Sequence, residues 1–243
     1  MYPMKIIAHR GDASKFPENT IEAFEAAQIA GANGVELDVH FTKDKKLVVY
    51  HDYHLGNPDN GKGIISQVTL EYINSLSIQN SCHIPTLEEV FFKFGKTLHY
   101  ELEIKAFSFD ALQEIIELVQ RYQLEDKIEF TSSHPYILSH LKQQYPSLIT
   151  GYFSAPKPDW MDITLYRTLC IAEATTGGLD VLHYPAHLID TSIVNQAHDA
   201  GLLVHSANCD QIEDFSKAIK SGVDQLSTNQ LSRALSSLRK QLG

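Results

Sequence analysis

The sequence predicts an α/β protein, and we expect a (β/α)8 TIM barrel with a small insertion after the third strand. Short apolar segments alternate with longer amphipathic ones almost from end to end, which is typical of βα units around a parallel sheet. The length of 243 residues, 43% of them hydrophobic, suits one barrel with a full core. We therefore expect residues 1–243 to form a single domain.

Nine segments have the composition of strands, one more than a closed barrel needs. The segment between the second and third, residues 39–46, is too short for a helix. We therefore expect an extended turn to join these two strands, and one of the nine to be peripheral. The nine are residues 5–9, 34–38, 47–51, 98–105, 127–132, 148–153, 180–184, 202–206 and 223–227.

Helix ends and one insertion can also be placed. Capping boxes predict two helix starts, and glycines directly before strands predict helix ends. Residues 53–85, rich in Gly, Asn, Asp and Ser, are predicted to be an insertion over one end of the barrel. The boxes are Asn19 with Glu22 and Thr86 with Glu89, and the glycines are Gly31, Gly201 and Gly222.

Composition limits the partners of the protein. A formal net charge of −10 argues against general affinity for nucleic acid or anionic membranes. The three cysteines are scattered without the spacing of a zinc site, and no signal peptide or long apolar segment is visible. We expect a cytoplasmic protein that acts on a small molecule, without stable membrane insertion.

The second strand segment carries acidic side chains on one face. Glu36, Asp38 and His40 alternate with apolar residues, so they share a face of the strand. A half-exposed strand with one wet face is the alternative. In a barrel, however, helices cover the apolar face and the acidic face points inward, where carboxylates must be paired or bound to a cation.

The fourth strand segment repeats this pattern. Glu101, Glu103 and Lys105 alternate with apolar residues. Two acidic strands offer the oxygen ligands that Mg²⁺ or Ca²⁺ prefers, and Lys105 could offset excess charge or hold a phosphate oxygen. The sequence therefore predicts a divalent metal ion as cofactor.

Two histidines end predicted strands, where the catalytic side chains of such barrels gather. His9 ends the first and His51 the third. Imidazoles beside an acidic site suit general acid and base chemistry near neutral pH. Arg10 offers a permanently charged donor for a phosphate or carboxylate, although a surface salt bridge is the alternative, and Gly11 allows a tight turn.

Taken in order, these residues resemble the glycerophosphodiester phosphodiesterases, a family of phospholipase C-like barrels. The resemblance covers roughly the first half of the chain. The matching segments are His9-Arg10-Gly11, Pro17-Glu18-Asn19-Thr20, Glu36-Leu37-Asp38, His51-Asp52, Ile84-Pro85-Thr86-Leu87 and Glu103-Ile104-Lys105.

The resemblance implies hydrolysis of glycerophosphodiesters to sn-glycerol 3-phosphate and an alcohol. It implies His9 and His51 as catalytic residues, with either one starting as the base. It further implies Arg10 and Lys105 as phosphate-binding residues, and Glu36, Asp38 and Glu103 as metal ligands.

Three departures from the family pattern bear on substrate preference. His205-Ser206-Ala207-Asn208 stands where the family usually has Trp-Thr-Val-Asn. Gly56-Asn57-Pro58 replaces a usual Arg-Thr-Thr, and Thr228-Asn229 replaces a closing Thr-Asp. None of them touches the proposed proton-transfer or metal residues.

Three other functions compete with this interpretation. A sphingomyelinase D-like phospholipase would share the barrel, histidines and carboxylates, but is usually secreted and disulfide-bonded. A non-catalytic barrel could bind a phosphometabolite. An amidohydrolase-type enzyme would need a His-x-His strand, which the sequence lacks, and the sequence also lacks a nucleophile elbow, a His-Glu-x-x-His helix and a dinucleotide-binding glycine turn.

Overall fold

The structure, a computed structural model, describes residues 4–56, 61–78, 82–106 and 108–242. The residues form two compact units, Ala8–Ile128 and Met1–Ile7 with Glu129–Gly243. The predicted insertion at residues 53–85 lies partly outside the described ranges, as do Asn57 and Pro58.

All nine predicted strands are present, and no end differs from its predicted position by more than three residues. The strands are β1 (Lys5–Ala8), β2 (Gly34–Phe41), β3 (Leu47–Val49), β4 (Tyr100–Ile104), β5 (Ile128–Ser132), β6 (Ile149–Phe153), β7 (Val181–Pro185), β8 (Leu203–Ala207) and β9 (Gln225–Thr228). The helices are α1 (Ile21–Ala30), α2 (Leu70–Asn74), α3 (Leu87–Phe94), α4 (Phe109–Tyr122), α5 (Pro135–Gln144), α6 (Ile163–Thr176), α7 (Thr191–Asp199), α8 (Ile212–Ser221) and α9 (Leu231–Leu242).

Within Ala8–Ile128, β2 has a different neighbour on each side. It pairs parallel with β4, placing Asp38 opposite Glu103. It pairs antiparallel with β3, placing Val39 opposite Val49. The expected extended turn is confirmed. The strand in excess of the eight that a closed barrel needs is β3, which forms the second arm of this hairpin.

The insertion after β3 shares a small apolar core with that strand. Two short helices occur in its described part, a 3₁₀ turn at Ile65–Gln67 and α2. This core joins the insertion to Val48 of β3. The buried core residues are Val48, Tyr50, Leu55, Ile65, Ile73, Leu76 and Ile84.

One predicted capping box is confirmed and the other is wrong. Thr86 Oγ1 accepts from Glu89 N–H at 3.1 Å while the Glu89 carboxylate accepts from Thr86 N–H at 2.7 Å. At α1, however, Thr20 is the N-cap, and its side chain accepts from Ala23 N–H. Asn19 has a positive φ of 58°, so its side chain is directed elsewhere.

Within Glu129–Gly243, parallel pairing runs from β5 through β6, β7 and β8 to β9. Gly222 ends α8 with φ 78°, as predicted, and Gly31 likewise ends α1 with φ 90°. Gly201 ends α7 in the same way, with φ 83° directly after the cap residue Ala200, and its N–H donates to His198 O at 2.9 Å. The strand and helix order is that of a (β/α)8 barrel with the hairpin arm β3 added.

Candidate active site

Three carboxylates converge where β2 and β4 lie side by side. Glu36 and Asp38 alternate on β2, and the parallel register brings Glu103 of β4 opposite Asp38. One oxygen from each of the three lies within 4.8 Å of the others. The side chains of Glu36 and Asp38 are buried, and that of Glu103 is 14% exposed. Glu101 is also buried but lies outside this acidic group.

Burial and mutual repulsion govern the charge of the acidic group. Burial raises the pKa of Glu36 well above its ordinary value, and the carboxylates of Asp38 and Glu103 add to the rise. Burial also raises the pKa of Glu103, although Lys105 opposes it. For Asp38 the effect of burial is outweighed by Lys105, Arg10 and a hydrogen bond from Asn19, so its pKa is lowered.

Two cationic side chains pair with the acidic group. Lys105 Nζ lies 2.8 Å from Glu103 Oε1 and 3.1 Å from Asp38 Oδ1. Arg10 Nε lies 3.3 Å from Asp38 Oδ2. Burial acts to lower the pKa of Lys105, but Asp38 and Glu103 raise it by more, so the ammonium group stays charged. With all three acids ionised, the five side chains carry one net negative charge.

The turn after β1 places His9 and Arg10. Arg10 has φ 55° and Gly11 has φ 84°. A Cβ atom at Gly11 would lie 2.7 Å from the backbone carbon of Ala23, so only glycine fits between the turn and α1. The turn directs the Arg10 N–H to Glu36 Oε2 at 3.0 Å, while His9 Nε2 lies 3.8 Å from the same oxygen.

His51 reaches the acidic group by a different route from the one predicted. It does not end a parallel strand, because β3 is antiparallel and stops at Val49. The hairpin returns the chain to β2, where Tyr50 N–H donates to Asp38 O at 3.0 Å. The imidazole is near enough that its positive form lowers the pKa of Asp38.

Two neighbours hold His51. Its Nδ1 lies 2.8 Å from Asp52 Oδ1, and its backbone oxygen lies 3.2 Å from His40 Nε2. The ring of His40 also meets that of Tyr53 edge to face, with centroids 5.1 Å apart. Alternation along β2 gave the only signal for His40, which shares the face of Glu36 and Asp38. No signal revealed Asp52 as the partner of His51.

Sequence reasoning also missed the contacts of Glu18 and Asn19. Arg10 Nη1 donates to both Glu18 oxygens, at 3.0 and 3.1 Å. Asn19 Nδ2 donates to Asp38 Oδ2 at 2.7 Å, and its Oδ1 accepts from Asp38 N–H at 3.3 Å. Both residues lie in one of the matching family segments, but position in the sequence does not reveal these partners.

The acidic group fits a hard divalent cation. Its donors are all carboxylate oxygens, the ligand type of Mg²⁺ and Ca²⁺. Among the described residues, Glu36 Oε1 is buried and makes no hydrogen bond, so a positive ion would compensate it. A divalent ion and a phosphodiester monoanion would together bring the charge of the five side chains to zero.

An acidic group suited to a divalent cation, paired with Arg10 and Lys105 on a chain of alternating strands and helices, is compatible with an enzyme that acts on phosphates. Residues 9–233 match the Glycerophosphoryl diester phosphodiesterase family. A glycerophosphodiester phosphodiesterase of Caldanaerobacter subterraneus is 32% identical over 97% of this chain and 98% of its own. The chain belongs to this family, and it is an enzyme that hydrolyses phosphodiesters.

Solved structures show the fold. A glycerophosphodiester phosphodiesterase from Parabacteroides distasonis has a TM-score of 0.85 at 23% identity, covering 99% of each chain. An Oleispira antarctica phosphodiesterase, solved with the product sn-glycerol-3-phosphate, has a TM-score of 0.83 at 22% identity, covering 98% of each. The predicted (β/α)8 barrel is confirmed. In the described ranges, no helix has both the length and the apolar character needed to span a bilayer.

Proposed function

We propose that this enzyme hydrolyses glycerophosphodiesters to sn-glycerol 3-phosphate and an alcohol, with His9 and His51 transferring the protons. The observation that carries the proposal is the joint placement of the acidic group, Arg10, Lys105 and both imidazoles within Ala8–Ile128. Charge repels nucleophiles from a phosphodiester, and its leaving alkoxide is poor. The site therefore needs positive charge to offset the repulsion of the nucleophile, and an acid to protonate the leaving alkoxide.

Positive charge comes from the protein and from a cofactor. Glu36, Asp38 and Glu103 would hold Mg²⁺ or Ca²⁺, which neutralises the nonbridging oxygens of a phosphate when bound. Arg10 and Lys105 bind the same oxygens. Arg10 is held by Glu18 in the free enzyme, and the phosphate takes over the guanidinium as the substrate enters.

The histidines divide the proton transfers. One deprotonates the attacking group while the other protonates the leaving alcohol, and the roles exchange if the reaction passes through a cyclic glycerol phosphate. Asp52 fixes the imidazole of His51 through Nδ1, which leaves Nε2 for the reacting group. His9 Nε2 lies 3.8 Å from Glu36 Oε2, at the edge of the acidic group.

The experiment is release of glycerol 3-phosphate from glycerophosphocholine and glycerophosphoethanolamine, with Mg²⁺ or Ca²⁺ and again with EDTA. We expect metal-dependent release, and loss of about 10² to 10⁴ fold in turnover for His9→Ala and for His51→Ala. His187→Ala, at an exposed position, is the control. Full activity of both active-site variants would refute their assignment, and no release with either metal would indicate a different phosphodiester.

A further inference from the structure

A second group of ionisable side chains lies within Glu129–Gly243. Glu129 of β5, His183 of β7 and His205 of β8 each offer a ligand atom, and these atoms lie within 4.8 Å of one another. Both histidines are buried, and the side chain of Glu129 is 14% exposed. His205 stands at the position where the family pattern has Trp. The proposed phosphodiester chemistry uses none of the three.

Hydrogen bonds and stacking fix these side chains. His183 Nε2 lies 2.6 Å from Glu129 Oε1, and Gln225 Nε2 donates to Glu129 Oε2 at 2.7 Å. The register of β7 and β8 places His183 beside His205. Their rings stack with centroids 4.1 Å apart and planes 19° apart. A ligating carboxylate anchored by another side chain is the usual arrangement around a bound metal.

The backbone of β6 is adapted to this convergence. A Cβ atom at Gly151 would lie 2.4 Å from Glu129 Oε1 and 2.5 Å from His183 Nε2. The φ of Gly151 is not in the left-handed region, so the turn-forming property of glycine is not the reason for it. Glycine is needed because the polar atoms of two neighbouring strands occupy the space of a side chain.

We infer that Glu129, His183 and His205 form a binding site for a borderline divalent ion such as Zn²⁺. Two imidazoles and one glutamate are a ligand set that zinc uses, whereas Mg²⁺ and Ca²⁺ prefer oxygen alone. This donor set separates the site chemically from the acidic group of the active site. An ion held here would link β5, β7 and β8.

Binding requires a small rearrangement of the side chains. Two ligands of a tetrahedral zinc ion are about 3.3 Å apart, given metal–ligand distances of about 2.0 Å. The contact of 2.6 Å between His183 and Glu129 is shorter, so the ion replaces this hydrogen bond as the Glu129 side chain moves back. A neutral His183 can carry its proton on Nδ1, which leaves Nε2 to bind the ion.

The test is a zinc-binding measurement on the full chain. The protein is dialysed against micromolar Zn²⁺ in millimolar Mg²⁺, which occupies the oxygen site, and retained zinc is measured by atomic emission. We expect about one zinc ion per chain, and a visible absorption band when Co²⁺, which favours the same four-coordinate ligand set, is used instead. Zinc should also raise the melting temperature.

Variants decide whether this site holds the ion. His205→Phe keeps a stacking ring but removes both nitrogens. Glu129→Gln, which keeps the shape and the hydrogen bonds of the side chain, is the second variant in case His205→Phe does not fold. Both should lose the zinc and the cobalt band. His198→Gln, at an exposed histidine that pairs with Asp224, should retain them. Glu36→Gln, which alters the acidic group, should also retain the zinc. Zinc binding can therefore be confirmed or refuted independently of the proposed catalytic function.

Two results would overturn the inference. One is a wild-type protein that retains no zinc under these conditions. The other is zinc retained equally by Glu129→Gln, which would assign the ion to other histidines. In either case the group would be a structural hydrogen-bonded pair of Glu129 and His183, anchored by Gln225.

Discussion

We expect Asp52 to act on the proposed reaction only through the orientation of His51. The contact between the two residues is 2.8 Å long, but the Asp52 side chain is 45% exposed. Solvent therefore weakens the pair, and we expect Asp52→Asn to lower turnover by roughly tenfold, far less than the loss of about 10⁴ fold for a buried triad aspartate. Asp110→Asn, at an exposed ion pair, should have no effect. Unchanged turnover in Asp52→Asn would show that His51 is oriented by the backbone alone.

Asn19 stabilises the acidic group in two ways that mutagenesis can separate. Its side chain makes two hydrogen bonds to Asp38, and its φ of 58° suits Asn or Gly better than other residues. Asn19→Gly removes only the hydrogen bonds and should lower the free energy of unfolding by about 2 kcal/mol. Asn19→Ala adds about 1 kcal/mol of backbone strain. Urea unfolding of both variants measures the difference in their free energies of unfolding. Equal free energies would mean that the turn relaxes and removes the backbone strain of the alanine.

At the scale of single residues, period-two alternation predicted the members of the acidic group because alternation fixes the face of a strand. The same argument could not assign Asn19, since its role depends on a positive φ that sequence alone does not reveal. It failed for Asp52 because the pairing with His51 depends on a rotamer. These roles depend on backbone and side-chain angles, which no residue spacing encodes.

The turn between β1 and α1 offers a prediction at the scale of elements. Gly11 and Gly31 both have φ between 84° and 90°, but only a Cβ at Gly11 would meet atoms within 4 Å. Gly31→Ala should therefore lower the free energy of unfolding by about 1 to 2 kcal/mol, the cost of the left-handed conformation. Gly11→Ala should cost about 1 to 3 kcal/mol more through the clash with Ala23. Equal losses in thermal unfolding would mean that the turn moves away from α1.

The capping box of α3 gives a second element-scale prediction. Thr86→Ala removes the acceptor for Glu89 N–H and should lower the free energy of unfolding by about 1 kcal/mol. Thr175→Ala, an exposed change inside α6, should stay within about 0.5 kcal/mol of the wild type. Urea titration measures the free energy of unfolding of both variants. Similar losses in the two would mean that the capping box contributes no measurable stability.

The order of the strands and helices could be predicted from the sequence, but the pairing of the strands could not. The shortness of residues 39–46 correctly indicated a turn, because a crossover helix needs more residues. The direction of β3 was left open, and its antiparallel course changed the route by which His51 reaches Asp38. Asn19 was misassigned as a helix cap because the two adjacent residues, Asn19 and Thr20, both suit that position.

For the whole molecule, metal binding should be linked to stability. Glu36 is buried with its pKa raised, so an ion that binds the folded state alone offsets an unfavourable charge distribution. At a concentration of 100 times its dissociation constant, Mg²⁺ or Ca²⁺ should add about 2.7 kcal/mol to the free energy of unfolding. Glu36→Gln should abolish this dependence. A melting temperature that responds to metal equally in both proteins would place the ion elsewhere.

The fold class followed from the alternation of strand and helix patterns along the whole chain, and the family resemblance carried the function. That resemblance was confined to about the first half, and the seven proposed site residues all lie between His9 and Lys105. The group of Glu129, His183 and His205 was not predicted, because its members are far apart in sequence and share no spacing. Single-domain organisation and a cytoplasmic location stay predictions.

The hairpin of β2 and β3 also limits how this enzyme can change in evolution. Tyr50 is tied to Asp38 by a backbone hydrogen bond, and a gain or loss of one residue before His51 would turn its side chain to the opposite face. The exposed turn at residues 43–46 can absorb such a change, whereas the arms cannot. Within this hairpin, lineages derived from this sequence should therefore vary in length at the turn, while the arms that carry Asp38 and lead to His51 keep their length.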